Sequence, residues 1–433
     1  MPNGANQIKV GDEALYFIAL SLMKGIFIMT KNTLLDPSLG LRAATWADVH
    51  PVADLIYAVC EADGDVTVAT TPENLEHAWR EDGFNPETDA FVVQTADGRI
   101  VGYEELANEQ AFAHFSADGY VHPDFKGRGI GTTLITRAEE RALAMMKQAE
   151  PDLRVYIHAA ADGKDETGRE MFAHLSYQIV RYFWRMEIQL DSAPAFALPA
   201  GIECRPFDRD AHAQLVWQAD NEAFREHWGS HDTTFKEWSF RKLERPEFDP
   251  ALWLVAWDGG EIAGFSQNRF RMGIGWVGTL GVRKPWRGRG LGLALLQASF
   301  ADFYRRGMKT VGLGVDASNT TGATRLYQRA GMRIASEFVN FEKELRPGRS
   351  LEYESEETMK EQLATQIQLP EGFTVRGATP ADAEAAVEMF NIWMQRMAGQ
   401  DDLASGDILR EDWGSPRFDP EQDTRLVFSP TGQ

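Results

Sequence analysis

Cysteine is nearly absent from this chain, with only Cys60 and Cys204 among 433 residues. The two are far apart and in no metal-ligand spacing, which excludes a disulfide framework and a cysteine-held metal. They imply a reducing compartment, so a cytoplasmic protein is expected, and both read as buried structural thiols. Positive charge is also scarce: 44 Lys and Arg stand against 65 Asp and Glu, a formal net charge of −21. Without a basic face, nucleic acid is an unsuitable partner. An acidic surface suits cationic molecules such as amines, and it also keeps a protein soluble. Long apolar runs are missing too. Residues 14–29, ALYFIALSLMKGIFIM, are interrupted by Lys24 and too short for a comfortable membrane span. Asp12 and Glu13 precede them, where a signal peptide would carry basic residues. Residues 1–28 are expected to be an upstream extension with Met29 as the natural start, and no membrane partner is expected.

The length calls for two or three domains, and 43% hydrophobic with 25% charged residues is an ordinary globular balance. A repeat organises the chain. Arg42-Ala-Ala-Thr45-Trp-Ala-Asp48, Arg205-Pro-Phe-Asp208-Arg-Asp210 and Arg376-Gly-Ala-Thr379-Pro-Ala-Asp382 open three similar segments, each Thr or Asp placed to cap the amphipathic run behind it. Each segment then reaches the same phrase: Phe84-Asn85-Pro86, Phe248-Asp249-Pro250, Phe418-Asp419-Pro420. The first two continue through a hairpin to strands ending at Val121 and Val282, a glycine-rich loop, a helix, a strand and a last helix. VRYFWRMEIQL closes the first and FVNFEKEL the second. This order predicts an α+β fold of mixed sheets flanked by helices. The expected plan is an extension (1–40), a first domain (41–190), a second (201–346), an acidic linker (347–371) and a partial third repeat (372–433). That third repeat stops at Gln433, short of the strand and loop the others share, as a truncation or a structural addition.

In the second repeat the loop reads Val282-Arg-Lys-Pro285-Trp-Arg287-Gly288-Arg289-Gly290-Leu291-Gly292, and the apolar spacing behind it opens a helix. Glycines bring backbone N–H groups close to a ligand, and a helix N-terminus is an anion site suited to a pyrophosphate. Arg287 and Arg289 add charged donors. The first repeat keeps the spacing with Lys126-Gly127-Arg128-Gly129-Ile130-Gly131. A dinucleotide fold is the rival reading, because Asp316 follows the strand-like TVGLGV. Against it, Arg283 to Arg287 separate strand from glycine, and VYIHAAADG in the first repeat has no clear acid at the matching strand end.

The phrase R-x-x-G-x-G after a strand, followed by Asn319-Thr-Thr-Gly-Ala323-Thr-Arg-Leu326-Tyr327-Gln-Arg-Ala-Gly331-Met332, resembles the GNAT superfamily of acetyl-CoA-dependent N-acetyltransferases. A looser version in the first repeat extends the resemblance over both, as tandem GNAT domains. The resemblance implies that backbone N–H groups of Arg287 to Gly292, Leu291 included, cradle the pyrophosphate of acetyl-CoA. It implies that Leu280, Gly281 and Val282 pair with the pantetheine arm, that Asn319 supports the cofactor, and that Tyr327 protonates the departing thiolate. A phenol of pKa about 10 suits that task, although the same tyrosine also fits as a packed helix aromatic.

The first repeat departs from the pattern at one point. Phe172 aligns with Tyr327 and has no hydroxyl, so this half is expected to keep its CoA loop without turning over. The general base stays open among Glu222, Glu226, His227 and Asp316, each of which also suits surface charge. The expected activity is transfer of an acetyl group to a small-molecule amine by direct attack, with no metal. The alternative is a non-catalytic CoA-binding or assembly protein.

Overall fold

The computed structural model of the chain describes residues 35–225, 227–319, 322–351, 374–398 and 425–428. Alternating apolar strands and capped amphipathic helices recur in one order twice. The first pass contains β1 (Gly40–Ala43), α1 (Val49–Ala62), α2 (Pro72–Ala78), α3 (Pro86–Asp89), β2 (Ala90–Gln94), β3 (Ile100–Gln110) and β4 (His114–Val121). It continues with α4 (Ile130–Met145), β5 (Val155–Asp162), α5 (Glu166–His174) and β6 (Gln178–Gln189). The second pass begins with β7 (Ile202–Pro206), α6 (Arg209–Phe224), α7 (Phe235–Leu243), β8 (Leu254–Asp258), β9 (Glu261–Arg271) and β10 (Ile274–Val282). It ends with α8 (Leu291–Arg305), β11 (Thr310–Asp316), α9 (Ala323–Arg329) and β12 (Arg333–Arg346).

The expected α+β architecture is present, and all of these strands join one 12-stranded sheet. Its order is β1-β2-β3-β4-β5-β12-β6-β11-β10-β9-β8-β7. The pairs β4–β5 and β10–β11 are parallel and the other neighbours antiparallel. The order holds a feature that the linear reading did not contain. The strand that closes the first repeat, β6, pairs with β11 of the second, and the strand that closes the second, β12, pairs with β5 of the first. The two closing strands also pair with each other, so the halves are stitched through the centre of the sheet.

Side chains from both repeats lock that centre. Arg185 on β6, only 7% exposed, bonds the carboxylate of Asp65 after α1 and reaches the Ser336 hydroxyl of β12 at 3.3 Å. Burial would raise the Asp65 pKa, but hydrogen bonds from Thr67 and Ser336 together with the Arg185 charge hold it below the ordinary carboxylate value. At the β5–β12 seam, the rings of His114 and His158 approach at 3.0 Å and His158 lies 3.0 Å from Glu342. Trp184 on β6 donates to Glu337 on β12 at 2.9 Å.

The capping signals act as the sequence predicted. Arg42 forks onto Asp48 at 2.7 and 2.8 Å, while the Thr45 hydroxyl donates to the same carboxylate. Asp208 instead accepts from the Ala211 N–H to cap α6. Cys60 is buried, but Cys204 is exposed on the sheet-edge strand β7, against the expectation of two buried thiols.

A separate unit spans Glu354–Gln433. There, β13 (Thr374–Gly377) pairs antiparallel with β14 (Arg425–Phe428), and α10 spans Ala383–Ala398. Arg376 forks onto Asp382 at 2.8 and 2.7 Å, repeating the Arg42–Asp48 arrangement. The Phe418-Asp419-Pro420 phrase, residues 1–34 and most of the linker lie outside the described residues.

Two predictions follow from the stitched centre. Arg185→Met leaves the Asp65 carboxylate without its buried partner, and a loss of about 3 kcal/mol in urea unfolding is expected. Burial, followed by the His158 charge, depresses His114 to about 3 from 6.5. The folded state therefore refuses a proton that the unfolded state accepts, and stability present above pH 6.5 is lost as the pH falls towards 3. Burial opposes the Glu342 carboxylate charge, but hydrogen bonds from His158 and Arg154 hold its pKa at about 2. Its contribution is lost from 4.5 downward, with the same sign. Denaturant titration should lose about 2 kcal/mol between pH 7 and pH 5 in wild type, and most of that loss should vanish in His114→Phe.

Candidate active site

The sheet opens in two places, each at a parallel pair. Strands β10 and β11 share register only at Gly275–Val311 and Trp276–Gly312. Past these pairs the strands diverge, and a bulge in β10 between Val277 and Thr279 turns its tip further. Leu280, Gly281 and Val282 bond to β9 on one side and face the opening on the other. Gly281 has a steric reason: a Cβ there would lie 2.4 Å from the Phe265 ring.

The loop that follows carries Gly288 and Gly290 at φ of 75° and 83°, with open space where side chains would project. An L-residue is strained in that region, so the glycines are what permit the turn. Gly290 caps α8, and the Ala294 N–H makes the first helical bond to its carbonyl at 3.1 Å. The N–H groups of Gly288, Arg289 and Gly290 find no backbone acceptor among the described residues. With the free first turn of α8 at Leu291 and Gly292, they form a row of donors at a positive helix end, able to receive a phosphate.

Other expected residues are placed differently. The Arg287 guanidinium turns back to the carbonyls of Val282 and Ala223 at 3.1 and 3.0 Å, and its N–H is taken by Lys284, so it braces the loop instead of lining it. Arg289 is exposed. Asn319 lies in the turn after β11, its N–H on the Asp316 carbonyl at 3.1 Å. Tyr327 on α9 is 9% exposed within the core of the second half, and its hydroxyl has no hydrogen-bond partner among the described residues. Burial pushes its pKa up to about 12, which keeps the phenol protonated at neutral pH. Helix α9 packs on the cradle itself, since a Cβ on Gly292 would lie 3.0 Å from Leu326.

The base candidates on this side are engaged. Glu222 accepts from Arg283 at 2.7 Å, and Asp316 caps its own turn through the Ser318 N–H and lies 3.8 Å from Arg181. His227 packs on Phe224, and Glu226 lies outside the described residues. The wall beside the β10 bulge holds a residue that the sequence reading missed. Lys242 donates to Thr279 at 2.8 Å, and burial lowers its ammonium pKa. Its helix, α7, gave only an ordinary amphipathic signal.

The first half repeats this geometry. Strands β4 and β5 pair from His114–Tyr156 to Ala117–Ala159 and then part. Gly127 and Gly129 take φ of 78° and 74°, Gly129 caps α4, and a Cβ on Gly131 would meet Met171 beside Phe172 at 3.0 Å. Lys126 lies 3.6 Å from Asp165, while Arg128 lies 3.9 Å from Asp36 and over the Phe125 ring. A cleft of about 590 Å³ runs from this loop between the strand tips. Phe172 is buried against Phe341, with ring centroids 4.6 Å apart.

The comparisons with known proteins agree with this geometry. Residues 213–332 match the acetyltransferase (GNAT) family, and residues 87–178 match an acetyltransferase (GNAT) domain. A mycothiol acetyltransferase from Thermobispora bispora is 31% identical over 66% of this chain and 93% of its own length. One from Salinispora arenicola is 33% identical over 58% of this chain and 81% of its own. A crystal structure of a GCN5-related N-acetyltransferase from Sphaerobacter thermophilus is 36% identical, with a TM-score of 0.63 over 74% of this chain and 99% of that one. A tandem GNAT protein from the clavulanic acid biosynthesis pathway shares the fold at 19% identity, TM-score 0.56, over 72% of this chain and 100% of that one. Among the described residues, no helix is long and apolar enough to cross a membrane, and no cluster of His, Cys, Asp or Glu is set to hold a metal. This chain belongs to the GNAT family and is an N-acetyltransferase with tandem GNAT domains.

Proposed function

We propose that the second half transfers an acetyl group from acetyl-CoA to the amine of a small molecule by direct attack. The observation that carries this reading is the row of unbonded N–H groups at Gly288–Gly290, continuous with the α8 N-terminus and set beside the parted tips of β10 and β11. In this reading the loop from Arg287 to Gly292 receives the pyrophosphate on its N–H groups from Gly288 onward, with Arg287 bracing it through its side chain. The tips Leu280, Gly281 and Val282 take the pantetheine arm, and Asn319 supports it from the turn after β11. The mycothiol acetyltransferases among the relatives support a small-molecule acceptor, and two unpaired cysteines suit a reducing cytoplasm.

Attack by a neutral amine puts negative charge on the carbonyl oxygen and on the leaving sulfur. Tyr327 supplies the proton for the sulfur, held ready by a pKa above the ordinary thiol value. Lys242, deprotonated more readily because it is buried, is the group beside the β10 bulge that receives the amine's proton.

Acetyl-CoA turnover with a panel of amines tests the assignment. Tyr327→Phe should lower kcat by on the order of a hundredfold while leaving KM for acetyl-CoA nearly unchanged. Unaltered kcat would remove the acid role. Gly290→Val forces a β-branched residue to φ of 83° and should weaken CoA binding by calorimetry at least about tenfold. Equal affinity would place the pyrophosphate elsewhere.

A further inference from the structure

The cleft in the first half contains more chemistry than a vacant cofactor loop needs. Its lining includes Lys126, Gly127 and Gly129 of the loop together with Asp63, Glu104 and Asp118. Glu104 lies in the middle of β3, a strand interior where a carboxyl is costly unless paired. It is 5% exposed, lines the cleft, and has no hydrogen-bond partner among the described residues. Its carboxyl lies over Gly119, because a Cβ there would sit 2.1 Å from Oε2. Gly119 is opposite Glu104 in the ladder, at the place of Leu280 in the second half. The second half has Ser266 where Glu104 stands, satisfied by Asn268 and Ser299 at 2.8 and 3.0 Å.

Strand alternation places the acids on opposite faces. Gly102 and Glu104 face α4, since a Cβ on Gly102 would strike Ile130 and Leu134. That is the side of the glycine loop and Phe172. Burial, then the nearby Asp118 and Glu105 charges, raise the Glu104 pKa well above its ordinary value, so the group holds its proton. Tyr177, whose ring is 5.1 Å from Phe172, lies near Glu104 on this face. On the other face Asp118 stands opposite Glu105, beside α1, and accepts from Tyr120 at 3.1 Å. The place of Asp118 is taken in the second half by Thr279, the partner of Lys242. At this position the first half thus offers a carboxylate where the second offers a hydroxyl bonded to an ammonium.

We propose that the first half is a second acyl-transfer site, with a CoA thioester as donor and a small cationic amine as acceptor, in which Glu104 does the work that Phe172 cannot. Asp63 and Asp118 draw the cation to the α1 side. The amine enters with its charge on one nitrogen, and its second, uncharged nitrogen attacks the thioester carbonyl carbon, forming a C–N bond while the C–S bond breaks. Asp118 takes the proton from nitrogen, and Glu104 gives its proton to the leaving sulfur. Solvent then returns a proton to Glu104 and removes one from Asp118, so the balance is amide plus free thiol. Burial pushes the Cys60 thiol up to about 12, which leaves the cleft without a thiolate for a covalent route.

The test uses the full chain, acetyl-CoA, and 1,4-diaminobutane as the cationic amine. Calorimetry should count two CoA sites in wild type and one in Gly290→Glu, whose carboxylate blocks the second-half cradle. In that background diamine acetylation should persist, and adding Glu104→Gln should cut kcat at least tenfold with KM for acetyl-CoA unchanged. Gln is neutral and isosteric with the protonated acid, so an unchanged Tm is expected. Lys126→Glu with Arg128→Glu should remove the remaining CoA site. Loss of all turnover in Gly290→Glu, or a Glu104→Gln variant as fast as its parent, would overturn the proposal and leave the second-half reading intact. Full wild-type turnover in Gly290→Glu, abolished by Glu104→Gln, would support it while removing the second-half assignment.

Discussion

Two parallel strand pairs that stop pairing partway govern this protein. A parallel ladder satisfies both strands along their shared length, and where the strands part, the facing backbone groups have no partner. In β4–β5 that point follows Ala117 and Ala159, and in β10–β11 it follows Trp276 and Gly312. The parted tips form a slot with donors and acceptors on its walls, and each slot ends at a left-handed glycine opening a long helix. An extended ligand with an anionic end fits such a place because the slot supplies what the fold left unpaired.

The closing strands are exchanged between the repeats. Because β12 fills the position beside β5 and β6 the position beside β11, each repeat is completed by the other. The Arg185–Asp65 contact couples that exchange to the first cleft, since Asp65 lines it. A change at the central seam is thus felt at the site walls.

The glycine loops were legible because a turn with positive φ demands glycine at fixed positions. Thr45, Asp208 and Thr379 were legible for a similar reason, as caps act within three or four residues. The direction of the Arg287 side chain was not, since the carbonyls of Val282 and Ala223 that hold it belong to different elements. Glu104 gave a signal that went unused: a pair of acids inside IVGYEELANEQ, otherwise a buried strand pattern, marks either a satisfied network or a site. Choosing between them needs the facing strand, where Gly119 leaves room for the carboxyl.

By itself, the sequence determined the repeat, the two glycine loops, the α+β class and the difference between Tyr327 and Phe172. These depend on backbone dihedrals, caps and spacing, all short-range. Tertiary structure alone decided which strand completes which half, that Glu104 meets Gly119, and that Asp118 stands where Thr279 holds Lys242 in the other half. Such pairings join residues as distant as Trp184 and Glu337, 153 positions apart. The two closing strands have similar apolar patterns, and only packing in three dimensions selects the edge that each completes.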